Sequence, residues 1–257
     1  MNIPLQPDQF TRPSLLTAQG IVNYRRHLGR MPRIPDLEGV LFCLERGLPD
    51  RMNRRFPVQL VGRMNGELYS VKKTKGRVAV MTNFGGGSPI VAELAEEFIA
   101  MGARRLILMT WGGSLQLDLK AGDIVVCNQA VRDEGTSHHY LPPAHYVSAD
   151  PELTDCLAAS IRRLERQPVT GPTWTTDAPY RETLEEVQQY QSEGVNSVEM
   201  EAAGLFAIGQ VRHVQTTAAV VIMDSLASLK WEVPDRLDNI HHSLEIVYAA
   251  AIEALAG

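Results

Sequence analysis

Two acidic stretches carry the chemistry this sequence suggests. Val198-Glu199-Met200-Glu201-Ala202-Ala203 places two carboxylates two positions apart where an apolar run begins. Carboxylates in a first helical turn are favoured by the helix dipole, so plain capping would account for them. Yet Glu201 runs straight into Ala202-Ala203-Gly204-Leu205-Phe206, and a carboxylate that close to a core needs a hydrogen-bonding partner. A diol suits it, because one carboxylate accepts hydrogen bonds from two neighbouring hydroxyls. In the second stretch, Val220 to Ser225, Asp224 ends an apolar run. A partly buried acid in that position can donate a proton.

Four further loops follow apolar runs. Gly47-Leu48-Pro49-Asp50-Arg51 comes after Gly39–Leu44. It reads either as an anion contact, with Arg51 supplying charge, or as a turn with a surface arginine. Gly85-Gly86-Gly87-Ser88-Pro89 joins Arg77–Thr82 to a helical stretch. Such a run can offer N–H groups to phosphate at a helix N-terminus, or simply let strand and helix pack closely. It is neither a P-loop nor a GxGxxG fingerprint. Thr110-Trp111-Gly112-Gly113-Ser114 is the third. The fourth, Arg132 to Tyr140, is dense in ionisable groups and reads as a site rim or a subunit contact. Its adjacent His138 and His139 have no Asp or His partner at ligand spacing, so no metal is expected.

Taken together, these residues resemble the nucleoside phosphorylase/nucleosidase superfamily, of the purine nucleoside phosphorylase and uridine phosphorylase type. The run from Val198 to Ala203 resembles its ribose-binding signature. Gly47 to Arg51, the turn at 85–89, Gly122 to Val126, Arg132 to Ser137 and Asp177 to Arg181 also match. The resemblance spans roughly Gly39 to Leu255. It implies that Met200 and Glu201 contact the ribose, Glu201 through the 2′- and 3′-hydroxyls, and that Asp224 protonates a purine base. It implies that Tyr180 and Arg181 meet the base, Arg181 being suited to a pyrimidine's carbonyls. Gly47 and Arg51 align with phosphate ligands, Gly86 and Ser114 are taken as further phosphate contacts, and Glu199 is a candidate ribose contact and a candidate base for a water. One departure stands out. Where phosphate-using relatives carry Arg-x-Gly-Thr-x-Gly, this chain has Leu108-Met109-Thr110-Trp111-Gly112-Gly113. Loss of two anion ligands weakens phosphate binding, since a charged hydrogen bond is worth about 1.5–3 kcal/mol. Thr110 or Ser114 could substitute in part. The implied reaction is N-glycosidic cleavage, by phosphate as the family default or by water as a rival, with a non-catalytic nucleoside-binding member a third reading. No cofactor or metal is implied beyond phosphate as co-substrate. A homo-oligomer, dimer or hexamer, is expected.

These residues need strands and helices to position them. Apolar strand-like runs alternate with helical stretches at Ile90–Met101, Glu152–Leu164, Glu182–Glu193, Ser197–Ile208 and Leu237–Leu255. Met64-Asn65-Gly66 marks a hairpin between two strands. The pattern predicts a single α/β domain over 37–257, a three-layer αβα arrangement around a central mixed, twisted sheet. Residues 1–36, rich in proline (Pro4, Pro7, Pro13, Pro32, Pro35), read as an arm with a helix near Thr17–Leu28 that packs on the domain or on a neighbouring subunit.

The chain has 257 residues and a net charge of −5, which offers no electrostatic grip on nucleic acid polymers. No apolar stretch reaches the roughly 20 residues of a membrane span, and the N-terminus lacks a secretion-signal pattern. Three scattered cysteines form neither a metal motif nor a disulfide framework. A cytoplasmic protein is expected.

Overall fold

The computed structural model describes residues 8–34 and 36–257, so Pro4, Pro7 and Pro35 of the arm lie outside the described residues. The elements run α1 (Ala18–His27), β1 (Gly39–Cys43), α2 (Leu48–Arg51), β2 (Val58–Arg63), β3 (Glu67–Val71), β4 (Val78–Thr82), α3 (Ser88–Met101), β5 (Arg105–Ser114), β6 (Ile124–Asp133), β7 (Tyr146–Ser148), α4 (Pro151–Arg163), β8 (Val169–Thr176), α5 (Leu184–Ser192), β9 (Ser197–Glu199), α6 (Ala202–Arg212), β10 (Gln215–Ser225) and α7 (Asp238–Ala256).

The strands make one mixed sheet. β1 lies parallel between β4 and β5, and β3 and β2 extend the β4 side antiparallel. On the other side β5 pairs with both β10 and β9. β9 joins β8, β8 joins β6, and β6 returns to β10. β5, β9, β8, β6 and β10 therefore close a ring, from which β1, β4, β3 and β2 extend as a wing. Closure requires close backbone approach at Gly112, where a Cβ would collide with the Val198 carbonyl. Glycine is the residue that permits such an approach.

Helices cover both faces, as expected of a three-layer αβα domain. Successive strand residues point to opposite faces. Val40, Phe42, Leu106 and Leu108 meet Val91, Leu94 and Phe98 of α3 and Ala203 and Phe206 of α6. Leu41, Val80, Ile107 and Val221 meet Leu153 and Leu157 of α4 and Leu244, Val247 and Tyr248 of α7. α5 packs through Val187 and Tyr190 on Trp174, Val131 and Val198. In the arm, Thr17 caps α1 by accepting from the Gly20 N–H at 3.1 Å, and Arg25 ion-pairs with the buried Glu97 of α3.

The sequence pattern is corrected in three places. Ser197–Glu199 is not the start of a helix but a strand, drawn into the sheet between β5 and β8. β5 and β6 run on through segments read as loops, to Ser114 and Asp133. β8 carries no apolar run, and its Thr173, Trp174 and Thr175 are nonetheless buried. No helix among the described residues is long and apolar enough to cross a membrane.

Candidate active site

The carboxyl ends of the parallel strands β4, β1, β5 and β10 lie along one edge, and the antiparallel β9 leads into Glu201 beside Thr110 of β5; the loops there build the site. Glu201 stands at the N-cap position of α6, and its side chain does not cap the helix. It turns back toward the sheet. Its Oε1 accepts from the Gly87 N–H at 2.7 Å. Its Oε2 accepts from the Thr110 hydroxyl at 3.3 Å and the Met200 N–H at 3.4 Å. A carboxylate offers about four lone-pair directions, and two of these three contacts are long. Acceptor capacity remains for a hydroxylated ligand. Gly87 adopts φ 99° to present its N–H, a backbone state that costs glycine nothing. Next to it, Ser88 Oγ donates to the Met200 carbonyl at 3.1 Å, tying α3 to the same turn. Burial raises the Glu201 pKa above the ordinary carboxylate range.

Glu199 has a different job from the one expected. Its Oε2 accepts from the Glu201 and Ala202 N–H groups, both at 2.7 Å. Its Oε1 accepts from the Thr175 hydroxyl at 2.6 Å. It thus satisfies the free N–H groups that begin α6, and with short hydrogen bonds on both oxygens and 4% exposure it is committed to the helix start rather than offered to a ribose or a water. Burial first, then the neighbouring Glu201 charge, push its pKa up to about 8.

Asp224 stands half-buried near the end of β10. Its Oδ1 lies 2.8 Å from where a Cβ on Gly113 would be, so the glycine makes room for the carboxyl group. Its Oδ2 accepts from the Trp231 indole N–H at 2.9 Å. An antiparallel bridge between Ser225 and Glu232 folds that loop back over Asp224. Tyr180 and Arg181 sit on a 3₁₀ turn, Pro179–Arg181, after β8. Both are exposed, at the rim rather than inside. Glu182, which follows them, is half-buried; burial first and then the Asp224 charge push its pKa up to about 7.

On the other side, Gly47 precedes the short α2, which ends in Arg51. Gly86 joins this loop to the carboxylate: a Cβ on Gly86 would lie 3.3 Å from Glu201 Oε1 and 3.9 Å from Leu44 Cδ2. Leu108 is wholly buried in the core, and Trp111 is exposed at the strand end. Ser114 does not join the group. It is fully buried, and its hydroxyl donates to the Gln116 carbonyl at 2.8 Å and accepts from the Gln116 N–H at 3.2 Å.

The structure therefore brings Met200 and Gly86 against Glu201, places Gly47 with Arg51 after β1 and Asp224 near the end of β10, leaves Tyr180 and Arg181 exposed, and turns Glu199 and Ser114 inward. Sequence reasoning missed Glu182 and Trp231, and it named Gly87 and Thr110 for an anion rather than for their contacts to Glu201. Glu182 left a signal, a carboxylate directly after the Tyr-Arg pair. The ionisable loop after β6 holds itself together. Arg132 donates to Ser137 Oγ at 2.8 Å and to the Pro142 carbonyl, Glu134 accepts from the Ser137 N–H, and His139 pairs with Gln9 of the arm.

A sequence profile described as the phosphorylase superfamily matches residues 51–255. The chain belongs to this superfamily. Among its relatives in it, a purine nucleoside phosphorylase of Plasmodium falciparum is 32% identical over 197 residues, 75% of this chain and 80% of the relative. A guanosine phosphorylase of Halorubrum lacusprofundi is 27% identical over 174 residues, 65% and 72% of the two chains. A uridine phosphorylase of Escherichia coli is 25% identical over 201 residues, 71% and 78%. The superfamily match begins at Arg51, takes in Glu201 and Asp224, and leaves out the arm, β1 and Gly47.

Proposed function

We propose that this chain cleaves the N-glycosidic bond of a nucleoside by phosphorolysis, releasing free base and pentose 1-phosphate. The observation that carries the reading is Glu201: a buried carboxylate held by Gly87, Thr110 and Met200 yet facing the loops at the sheet's carboxyl edge. Glu201 accepts from the 2′- and 3′-hydroxyls, beside Met200. The C1′–N bond breaks with its electron pair passing to the base. Asp224 supplies a proton or hydrogen bond to that charge, and Tyr180 and Arg181 border the base from the rim. A phosphate oxygen forms the new bond to the electron-poor C1′ on the side of Gly47, Arg51 and Gly86. No cofactor takes part in this scheme. The relatives that share the chain's length are named phosphorylases, which favours phosphate over water.

The exposed Leu15, Leu16, Tyr24 and Leu28 of the arm support assembly into a homo-oligomer, dimer or hexamer, since exposed apolar clusters mark contact surfaces. The free cysteines suit a reducing compartment such as the cytoplasm. The test of the reaction is base release from a panel of purine and pyrimidine nucleosides, with and without orthophosphate. Release that depends on phosphate is expected. Equal rates in phosphate-free buffer contradict the proposal.

A further inference from the structure

The candidate anion side of the site contains an anion of its own. Glu45 lies two residues past the end of β1. Its Oε1 sits 3.0 Å from Arg51 Nη2. Arg51 Nη1 also reaches the Arg46 carbonyl at 3.4 Å, so the guanidinium folds back over its own loop. The Glu45 backbone is anchored, because its carbonyl accepts from Cys43 Sγ and from the Thr82 hydroxyl, each at 3.4 Å. Its side chain is 22% exposed and that of Arg51 43% exposed, so the pair faces water and can exchange partners. Leu44, the residue before it, lies against Gly86 beside Glu201. The pair thus follows directly on a residue that lies against the turn holding Glu201. Leu108 is buried, and Arg51 is the guanidinium of this loop that already holds a carboxylate.

An ion pair this exposed adds little to folding. Its consequence falls on any other anion that needs Arg51. A tethered carboxylate competes at an effective concentration of millimolar order, whereas an incoming phosphate competes at its solution concentration. We propose that Glu45 sets the affinity for phosphate, by occupying Arg51 in the resting site as an internal anion that phosphate must displace. This rests on the phosphorolytic reading above. No covalent step is involved: one oxyanion replaces another on a guanidinium that stays protonated.

The test is steady-state phosphorolysis with inorganic phosphate varied at saturating nucleoside, for the wild type, Glu45→Gln and Glu45→Ala. Both variants are expected to lower the KM for phosphate about two- to five-fold, the span that an exposed pair is worth, with the gain in KM rather than kcat. Two variants of different shape guard against a packing artefact. A phosphate KM that is unchanged or raised in both, with base release still phosphate-dependent, overturns the role of Glu45 alone. Base release independent of phosphate in all three proteins overturns the phosphorolytic reading and this proposal with it.

Discussion

At position 201 a carboxylate turns to Gly87 and Thr110, and at position 199 one faces the start of the helix. Both were visible in the sequence as acids before an apolar run, and their roles were not separable there. The backbone separates them, since a strand residue and an N-cap residue two positions apart point to different partners. Asp224 has a neighbour the sequence did not single out. Glu182, with a pKa pushed to about 7 by burial and by the Asp224 charge, holds its proton below that pH and loses it above. Glu186 of α5 also raises it. A negative charge on Glu182, next to the group that serves the base, opposes arrival of electron density there. The kcat/KM profile of the wild type is therefore expected to fall as pH rises through about 7. In Glu182→Gln that alkaline limb moves or vanishes. Identical profiles in the two proteins would remove Glu182 from the chemistry.

The helices were legible wherever amphipathic spacing and caps coincide. α4 begins with Asp150 accepting from the Leu153 N–H at 2.8 Å, and α5 with a capping box between Thr183 and Glu186. The ring of strands was not legible, because β9 is only three residues long and β8 alternates threonine with one tryptophan. Register, set by long-range pairing, decides both. The same pairing puts Glu199 under α6. Its pKa, raised to about 8, means that the folded chain keeps a proton that the unfolded chain releases at ordinary carboxylate pH. Stability from this group is thus full at low pH and declines as pH rises toward about 8. Thermal unfolding of the wild type between pH 6 and 9 is expected to fall more steeply than that of Glu199→Gln. Each 1 kcal/mol corresponds to roughly 2–4 °C at this size. Parallel curves for the two proteins would contradict this protonation of Glu199.

Across the whole molecule, residues 37–257 read as one α/β unit with its loops at one edge. The arm's docking was open in the sequence, because nothing in residues 1–36 names Glu97 as a partner. Glu97 is buried, which raises its pKa, and Arg25 opposes that rise. Arg25→Ala leaves this carboxylate without its ion-pair partner. It is expected to cost about 1–3 kcal/mol, the range for a lost charged hydrogen bond at a mostly buried group. Chemical denaturation measures it, and an unchanged midpoint would mean that the arm is not held there. The same α3 that receives the arm presents Gly87 to Glu201 at its other end, so arm, helix and site form one continuous structure. The central claim is that this edge transfers a pentose from a base to phosphate. Phosphorus NMR of a nucleoside incubated with the protein and inorganic phosphate tests it most directly. One equivalent of pentose 1-phosphate per base released is the expected result, and free pentose with no loss of inorganic phosphate would contradict it.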